Sequence, residues 1–215
     1  LRFMFVSVVG SIGVGKTTLA KLMAERSGFN LFEENADNSV LSKFYQDIQN
    51  NVKPSEFAFL IQKFFLFSRA AAHMDIQYSD ENCVQERIIY EDREVFAIHL
   101  NKSGFISDEK FEEYKQNFEI CSRGLKNPDL FIYLKASPNA LRERIRLRGR
   151  DSEVQLLDHG NPYLEELQTL YGKMISNYAG KILVIDSEKY NFYTDEADKE
   201  AVLKLISEAL ESIPS

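Results

Sequence analysis

Phe3 to Val9 is apolar on both faces and stops at Gly10, which predicts a strand buried on both sides. Lys16 to Ser27 switches to helical spacing (Leu19, Leu22, Met23) and ends at Gly28. A short strand follows at Asn30 to Glu33. Asn38 to Gln49 places Val40, Leu41, Phe44, Tyr45 and Ile48 on one side of a helix. After a polar, Pro-containing break at Asn50 to Ser55, a long Phe-rich helix covers Glu56 to Tyr78. A strand at Asn82 to Gln85 leads into a helical stretch to about Leu100, and Asp108 to Ser122 is a further helix. Leu130 to Lys135 reads as a strand and Pro138 to Arg148 as a helix with Pro at its start, where it is tolerated. The pattern closes with a helix over Pro162 to Ala179, a strand at Lys181 to Ile185 and a helix from Glu196 to Ile213. Five short apolar strands alternating with helices predict an α/β fold, a five-stranded parallel sheet flanked by helices, with extra helices between strands two and four. No repeat, low-complexity tract or dividing linker is visible, so residues 1–215 are expected to form one domain.

Chemistry enters at the first loop. Gly10-Ser-Ile-Gly-Val-Gly15-Lys16-Thr17 matches G-x-x-x-x-G-K-[ST], between a buried strand and a helix, as a phosphate loop requires. Its glycines let backbone N–H groups turn inward around phosphate oxygens, and the helix N-terminus adds partial positive charge. Gly10, Ser11, Gly13, Val14, Gly15, Lys16, Thr17 and Thr18 are therefore the candidate ATP-binding residues. Lys16 is expected to reach the β- and γ-phosphates and Thr17 to bind Mg²⁺. The N-K-x-D signature that reads guanine in GTPases is absent. A motor or helicase would be longer and carry an acidic pair at a strand end; the acid candidate here is Glu86, followed by Arg87.

Composition narrows this further. The 215 residues are 44% apolar and 27% charged, enough for one real core. No apolar run approaches the roughly 18 residues needed to cross a bilayer. Two cysteines make no disulfide framework, and the first apolar run leads straight into the phosphate loop without a signal-peptide pattern. A cytoplasmic protein is expected. Net charge is −7, a poor prior for nucleic-acid polymers. Residues 142–150 nevertheless hold five Arg and one Glu, which predicts a site for a local anion. Arg144 and Arg148 share one helix face and Arg142 and Arg146 another. His73, His99 and His159 have no metal-ligand spacing and read as surface or internally satisfied residues. Cys83 and Cys121 read as packing residues.

Several spaced motifs together resemble the deoxyribonucleoside kinases, the deoxycytidine, deoxyguanosine and deoxyadenosine kinase group, over nearly the whole chain. Glu34 ends strand two, where the family has Glu-Pro and this chain has Glu34-Asn35; Glu33 is adjacent. Gln62 and Arg69 lie seven residues apart, two helical turns, on one face with Phe65 between them. Glu86-Arg87-Ile88 matches the family's Glu-Arg-Ser with Ile in place of Ser, and Asp92 follows five residues after the Arg. Arg144-x₃-Arg148-x-Arg150-x₂-Glu153 matches an Arg-rich lid, about residues 142–153.

The resemblance implies a P-loop kinase fold, ATP as donor and roles for these residues. Glu86 would be the general base on the 5′-hydroxyl and, with Thr17, a metal ligand; Arg87 would steady the reacting end. Lys16, Arg144, Arg148 and Arg150 would carry developing charge. Glu34, Tyr45, Gln62, Phe65, Arg69, Arg87, Asp92 and Glu153 would bind the nucleoside, Glu153 at the 3′-hydroxyl. Asn191 and Phe192, with Arg148, would complete the ATP site. Arg142 and Arg146 would face solvent. The polar Arg69–Asp92 pair puts deoxyadenosine or deoxyguanosine first, deoxycytidine next and thymidine last, since thymidine-preferring members carry apolar residues at those two positions. The resemblance also implies a homodimer. A thymidylate-type nucleoside monophosphate kinase and an inactive kinase-like accessory subunit are the alternatives.

Overall fold

A computed structural model describes residues 3–34, 38–154, 157 and 162–214 of the chain. Its centre is a parallel sheet of β1 (Phe5–Val9), β2 (Asn30–Phe32), β3 (Cys83–Glu86), β4 (Leu130–Lys135) and β5 (Ile182–Asp186), in the order β2-β3-β1-β4-β5. β1 is central and wholly buried, which explains why its residues are apolar on both faces. The helices are α1 (Lys16–Ser27), α2 (Asn38–Gln49), α3 (Glu56–Gln77), α4 (Ile89–Glu91), α5 (Ile98–Lys102), α6 (Asp108–Ser122), α7 (Pro138–Arg148), α8 (Asp151–Val154), α9 (Tyr163–Asn177) and α10 (Glu196–Glu211). A π-helical turn, Asp92–Ala97, joins α4 to α5.

Local chemistry sets the boundaries. Ser55 Oγ accepts the Ala58 N–H at the start of α3, and Ser137 Oγ does the same for Ala140 at the start of α7, with Pro138 at its first position. α7 stops at Gly149, whose φ of 67° is the left-handed cap that a Cβ would disfavour.

Two differences from the expected boundaries matter. β2 ends at Phe32, so Glu33 and Glu34 are already in the connecting loop. β3 extends through Glu86 rather than stopping at Gln85, and Glu86 pairs in register with Val8 of β1. The ends of β1 and β3 are therefore side by side at the carboxyl edge of the sheet. In open parallel sheets that edge is where ligands bind.

Candidate active site

A cavity of about 990 Å³ opens at this edge. Its walls come from the loops after β1, β2, β3 and β5, from α2 and α3, from the π-helical turn and from the Arg-rich segment.

The phosphate loop forms one end. Gly13 has φ 79°, and a Cβ there would sit 2.9 Å from the Ile145 side chain, so the lid helix packs directly onto the loop. Lys16 is buried and its Nζ donates to the carbonyls of Gly10 and Ser11, both at 2.9 Å. Gly13, Val14, Gly15, Lys16, Thr17 and Thr18 line the cavity. Gly10 and Ser11 do not: they form the back of the loop, and their carbonyls hold Lys16 instead of facing a ligand.

Burial pushes the Lys16 ammonium down to about 7, with Arg87 adding repulsion against the pull of Glu91, Glu86 and Glu34. The sign follows. Above about pH 7 the free protein loses the Lys16 proton, and an anionic phosphate must restore it on binding. The KM for ATP is expected to rise as pH increases through 7. Between about 7 and the ordinary 10.5 the unfolded chain binds a proton that the folded chain lacks, so Lys16 makes stability rise with pH over the same window. A KM and a Tm that both rise with pH, measured from pH 6.5 to 9, are the expected signature. A Lys16→Met protein should lose both.

Glu86 lies beside this end. Thr17 Oγ1 donates to Glu86 Oε1 at 2.6 Å, joining the phosphate loop to the end of β3. Arg87 follows in a left-handed conformation, φ 63°, which a non-glycine residue adopts at a cost of roughly 1–3 kcal/mol. Its backbone N–H bonds Val8 O at 3.1 Å, its Nε donates to Glu34 Oε2 at 2.8 Å, and its guanidinium lies 4.9 Å from the Phe96 ring centre. Its Nη1 is buried without a hydrogen bond, 3.7 Å from Glu91 Oε1, while the residue lines the cavity.

The far end is polar and paired. Arg69 bridges two carboxylates, Nη2 to Glu34 Oε1 and Nη1 to Asp92 Oδ1, and stacks 4.6 Å over Phe65. Burial pushes the Glu34 carboxyl up, but Arg69 and Arg87 outweigh it and bring it down to about 2. Glu33 instead pairs with Lys21 at 2.9 Å on the exposed rim, so Glu34 is the acid inside. Gln62 Oε1 and Asp92 Oδ2 are buried and lack hydrogen bonds. Two orphaned acceptors in one wall suit a ligand that brings donors, such as an exocyclic amine. Tyr45 is buried at this wall, and burial together with Glu153 pushes its hydroxyl up.

The lid residues are held in pairs. Arg148 Nη2 and Arg150 Nη1 both donate to Glu153, the latter at 3.3 Å. Arg144 is clamped to Ser187, at 2.7 Å to Oγ and 2.6 Å to the carbonyl, and reaches Val14 O at 3.5 Å. Arg142 does not face solvent as expected. It is half-buried against α9, its Nη2 donating to both carboxylate oxygens of Glu165 at 2.6 and 2.8 Å. Arg146 is exposed. Asn191 spends its side-chain amide on its own turn, donating to Thr194 Oγ1 at 2.7 Å. Phe192 is buried against the backbone of Gly15.

The structure thus gathers every candidate nucleoside-binding residue on one cavity and adds members that spacing did not single out. Phe96 is four residues beyond Asp92 on the π-helical turn, lines the cavity and is the ring on which the Arg87 guanidinium stacks. His99 also lines the cavity and is internally satisfied, Nδ1 3.0 Å from Glu166 Oε2. His73 is fully buried, with Nε2 on Lys126 O at 2.6 Å and Nδ1 unpaired. Asn35 and His159 lie outside the described residues. Among the described residues no group of three or more His, Cys, Asp or Glu could hold a metal alone. A Mg²⁺ ion does not require one, since it keeps waters and uses one or two carboxylates with substrate phosphates.

These features define an enzyme of the P-loop phosphotransferase type. Residues 6–211 match the deoxynucleoside kinase family model, so the chain belongs to the deoxynucleoside kinase family. It is 34% identical to a deoxyadenosine kinase of Dictyostelium discoideum, over 97% of this chain and 80% of the relative. It is 33% identical to a deoxyadenosine/deoxycytidine kinase of Bacillus subtilis (strain 168), over 95% of this chain and 92% of the relative. A deoxyadenosine kinase from M. mycoides, solved with dCMP and dCDP bound, superimposes with a TM-score of 0.76 at 21% identity, over 95% of this chain and 100% of that one.

Proposed function

We propose that the chain transfers the γ-phosphoryl group of ATP to the 5′-hydroxyl of a deoxynucleoside, deoxyadenosine or deoxyguanosine first, deoxycytidine next and thymidine last. It does so as a single catalytic domain, residues 1–215, with the phosphate loop at 10–17 and the lid at about 142–153. The Thr17–Glu86 contact carries the reading, because it joins a donor-phosphate half-site to an acceptor half-site. Phosphoryl transfer needs positioning and charge stabilisation more than covalent help from the protein. Lys16 and the lid arginines supply the charge, Arg144 from the side of Val14 and Ser187. Arg87 steadies the 5′ end, and Glu86 takes the hydroxyl proton late. Thr17 Oγ1 and Glu86 are hard oxygen donors 2.6 Å apart and fit Mg²⁺. Thr17 and Glu86 would hold the ion, which would supply positive charge against the charge developing on the transferring phosphates.

The acceptor end supports a neutral nucleoside over a monophosphate. Glu34, Glu86, Asp92 and Glu153 all line it, and Arg69, Arg87, Arg148 and Arg150 beside them are already engaged by Glu34, Asp92 and Glu153, so an acceptor phosphate would have to compete for its cation. Phosphorylation of the four deoxynucleosides and thymidine monophosphate by ATP and Mg²⁺ tests the reading. Purine deoxynucleosides are expected to lead. A leading thymidine or thymidine monophosphate overturns the acceptor assignment, and turnover of none overturns the enzyme reading.

We also propose a homodimer. Leu60, Phe64, Phe67 and Met74 are exposed along α3 at steps of four, three and seven residues, a stripe that a two-fold axis could pair with its own copy. Phe64→Glu is expected to convert a dimer to a monomer in sedimentation equilibrium. A wild-type monomer at micromolar concentration would refute the assembly. No helix among the described residues is long and apolar enough to cross a membrane. The free Cys83 and Cys121 support a reducing, cytoplasmic setting.

A further inference from the structure

We propose that Glu91 is a positioning residue, a buried carboxylate that ties the back of the phosphate loop to the loop carrying Glu86 and Arg87 and so aligns donor with acceptor. The proposal rests on the phosphoryl-transfer reading above.

Glu91 is fully buried behind the cavity and does not line it. Three donors converge on it. The Gly10 N–H reaches Oε1 at 3.2 Å, the Tyr171 hydroxyl reaches the same oxygen at 2.7 Å, and the Ile88 N–H reaches Oε2 at 3.1 Å. Gly10 opens the phosphate loop, Ile88 follows Arg87, and Tyr171 belongs to α9, which packs on the lid helix α7.

The geometry at each tie matters to the site. Gly10 carries φ 144°, and a Cβ there would lie 2.5 Å from Leu134 O, so its backbone has no room to drift. Its N–H faces Glu91, while its carbonyl holds Lys16 Nζ at 2.9 Å and lies 2.8 Å from the Tyr171 oxygen, whose one proton it shares with Glu91. A shift of Gly10 therefore moves the ammonium that meets the phosphates. On the other side, Arg87 sits in a disfavoured left-handed conformation that its surroundings must impose. Its peptide is pinned before by Val8 O, at 3.1 Å from the Arg87 N–H, and after by Glu91, through the Ile88 N–H. Ile88 has no side-chain oxygen to cap α4, so the Glu91 carboxylate is the half of a capping box that remains there. Glu91 Oε1 also lies 3.7 Å from Arg87 Nη1, the donor without a hydrogen bond.

A carboxylate can satisfy N–H groups on both loops at once. An amide cannot, because its NH₂ faces a donor on one side or the other. Glu91→Gln is therefore expected to lower kcat by about 10–100-fold while each KM changes less than about 3-fold, since misalignment taxes the reaction more than either binding half-site. Rates are read per folded molecule, well below the variant's Tm. A kcat within about twofold of wild type overturns the proposal, as does a loss that falls wholly on one KM. Hydrogen exchange on the wild-type protein is independent of how the variant folds. The Gly10 and Ile88 amides should both be strongly protected without ligand, and fast exchange at either removes the tie. If wild-type protein turns over no nucleoside, the kinase reading fails first, while amide protection still reports on Glu91.

Discussion

Glu86→Gln is expected to lower kcat by about 10²–10⁴-fold at saturating Mg²⁺, with Tm close to wild type. The substitution keeps size and shape, and a glutamine oxygen still accepts the Thr17 hydroxyl that Glu86 accepts at 2.6 Å. What disappears is a group able to take the 5′-hydroxyl proton. Glu86 also stands where a metal would, and the two roles separate experimentally. A ligand role raises the Mg²⁺ concentration for half-maximal rate and is recovered by more metal. A base role leaves a lower plateau at every Mg²⁺ concentration. A near-wild-type plateau would refute Glu86 as base. The wider acceptor wall should remain intact in this variant, because Arg69 and Arg87 hold Glu34 without help from Glu86.

The parts of the site that could be read from the chain are those written in local spacing. The glycines and Lys16 of the phosphate loop lie within eight residues, and Gln62, Phe65 and Arg69 lie within two turns of α3. Helical period alone places the latter on one wall. The sheet was equally local in its strands and their parallel direction, which follow from short apolar runs separated by helices; the order β2-β3-β1-β4-β5 is set by tertiary packing.

What stayed hidden depends on contacts far apart in sequence. Glu91 meets Gly10 and Tyr171, 81 and 80 residues away, and no spacing rule marks an acid whose partners are a backbone N–H and a distant phenol. Arg142 alternates with the lid arginines and looks solvent-facing until α9 brings Glu165 beside it. The Arg69 bridge was half visible. The Asp92 partner follows from a motif, but the Glu34 partner, 35 residues earlier, required β2 to end before it. Exposure on α3 was the reverse case: Leu60, Phe64 and Phe67 look like core in a Phe-rich helix and are instead on its outside.

That three-residue bridge sets up the sharpest specificity experiment. Arg69→Met should be the most damaging change at the acceptor wall, worse than Asp92→Ala. Removing the guanidinium strands Asp92, which is 1% exposed, and leaves Glu34 paired with Arg87. Stranding one member of a buried pair costs about 3–5 kcal/mol. Asp92→Ala leaves Arg69 its bridge to Glu34, so its penalty should be smaller. The double variant Arg69→Met/Asp92→Ala removes both charges together, and its Tm is expected to exceed that of Arg69→Met alone, a coupling that thermal unfolding of the four proteins measures. Activity should follow a different order. Purine deoxynucleosides lose a wall able to accept and donate hydrogen bonds, and their kcat/KM is expected to fall about 10²–10⁴-fold in the double variant. Thymidine, which gains from an apolar wall, should lose far less and rise in relative preference. If the four-nucleoside profile keeps its wild-type order in the double variant, Arg69 and Asp92 serve only to hold the fold, and selectivity must come from Gln62 and the flanking Phe65 and Phe96.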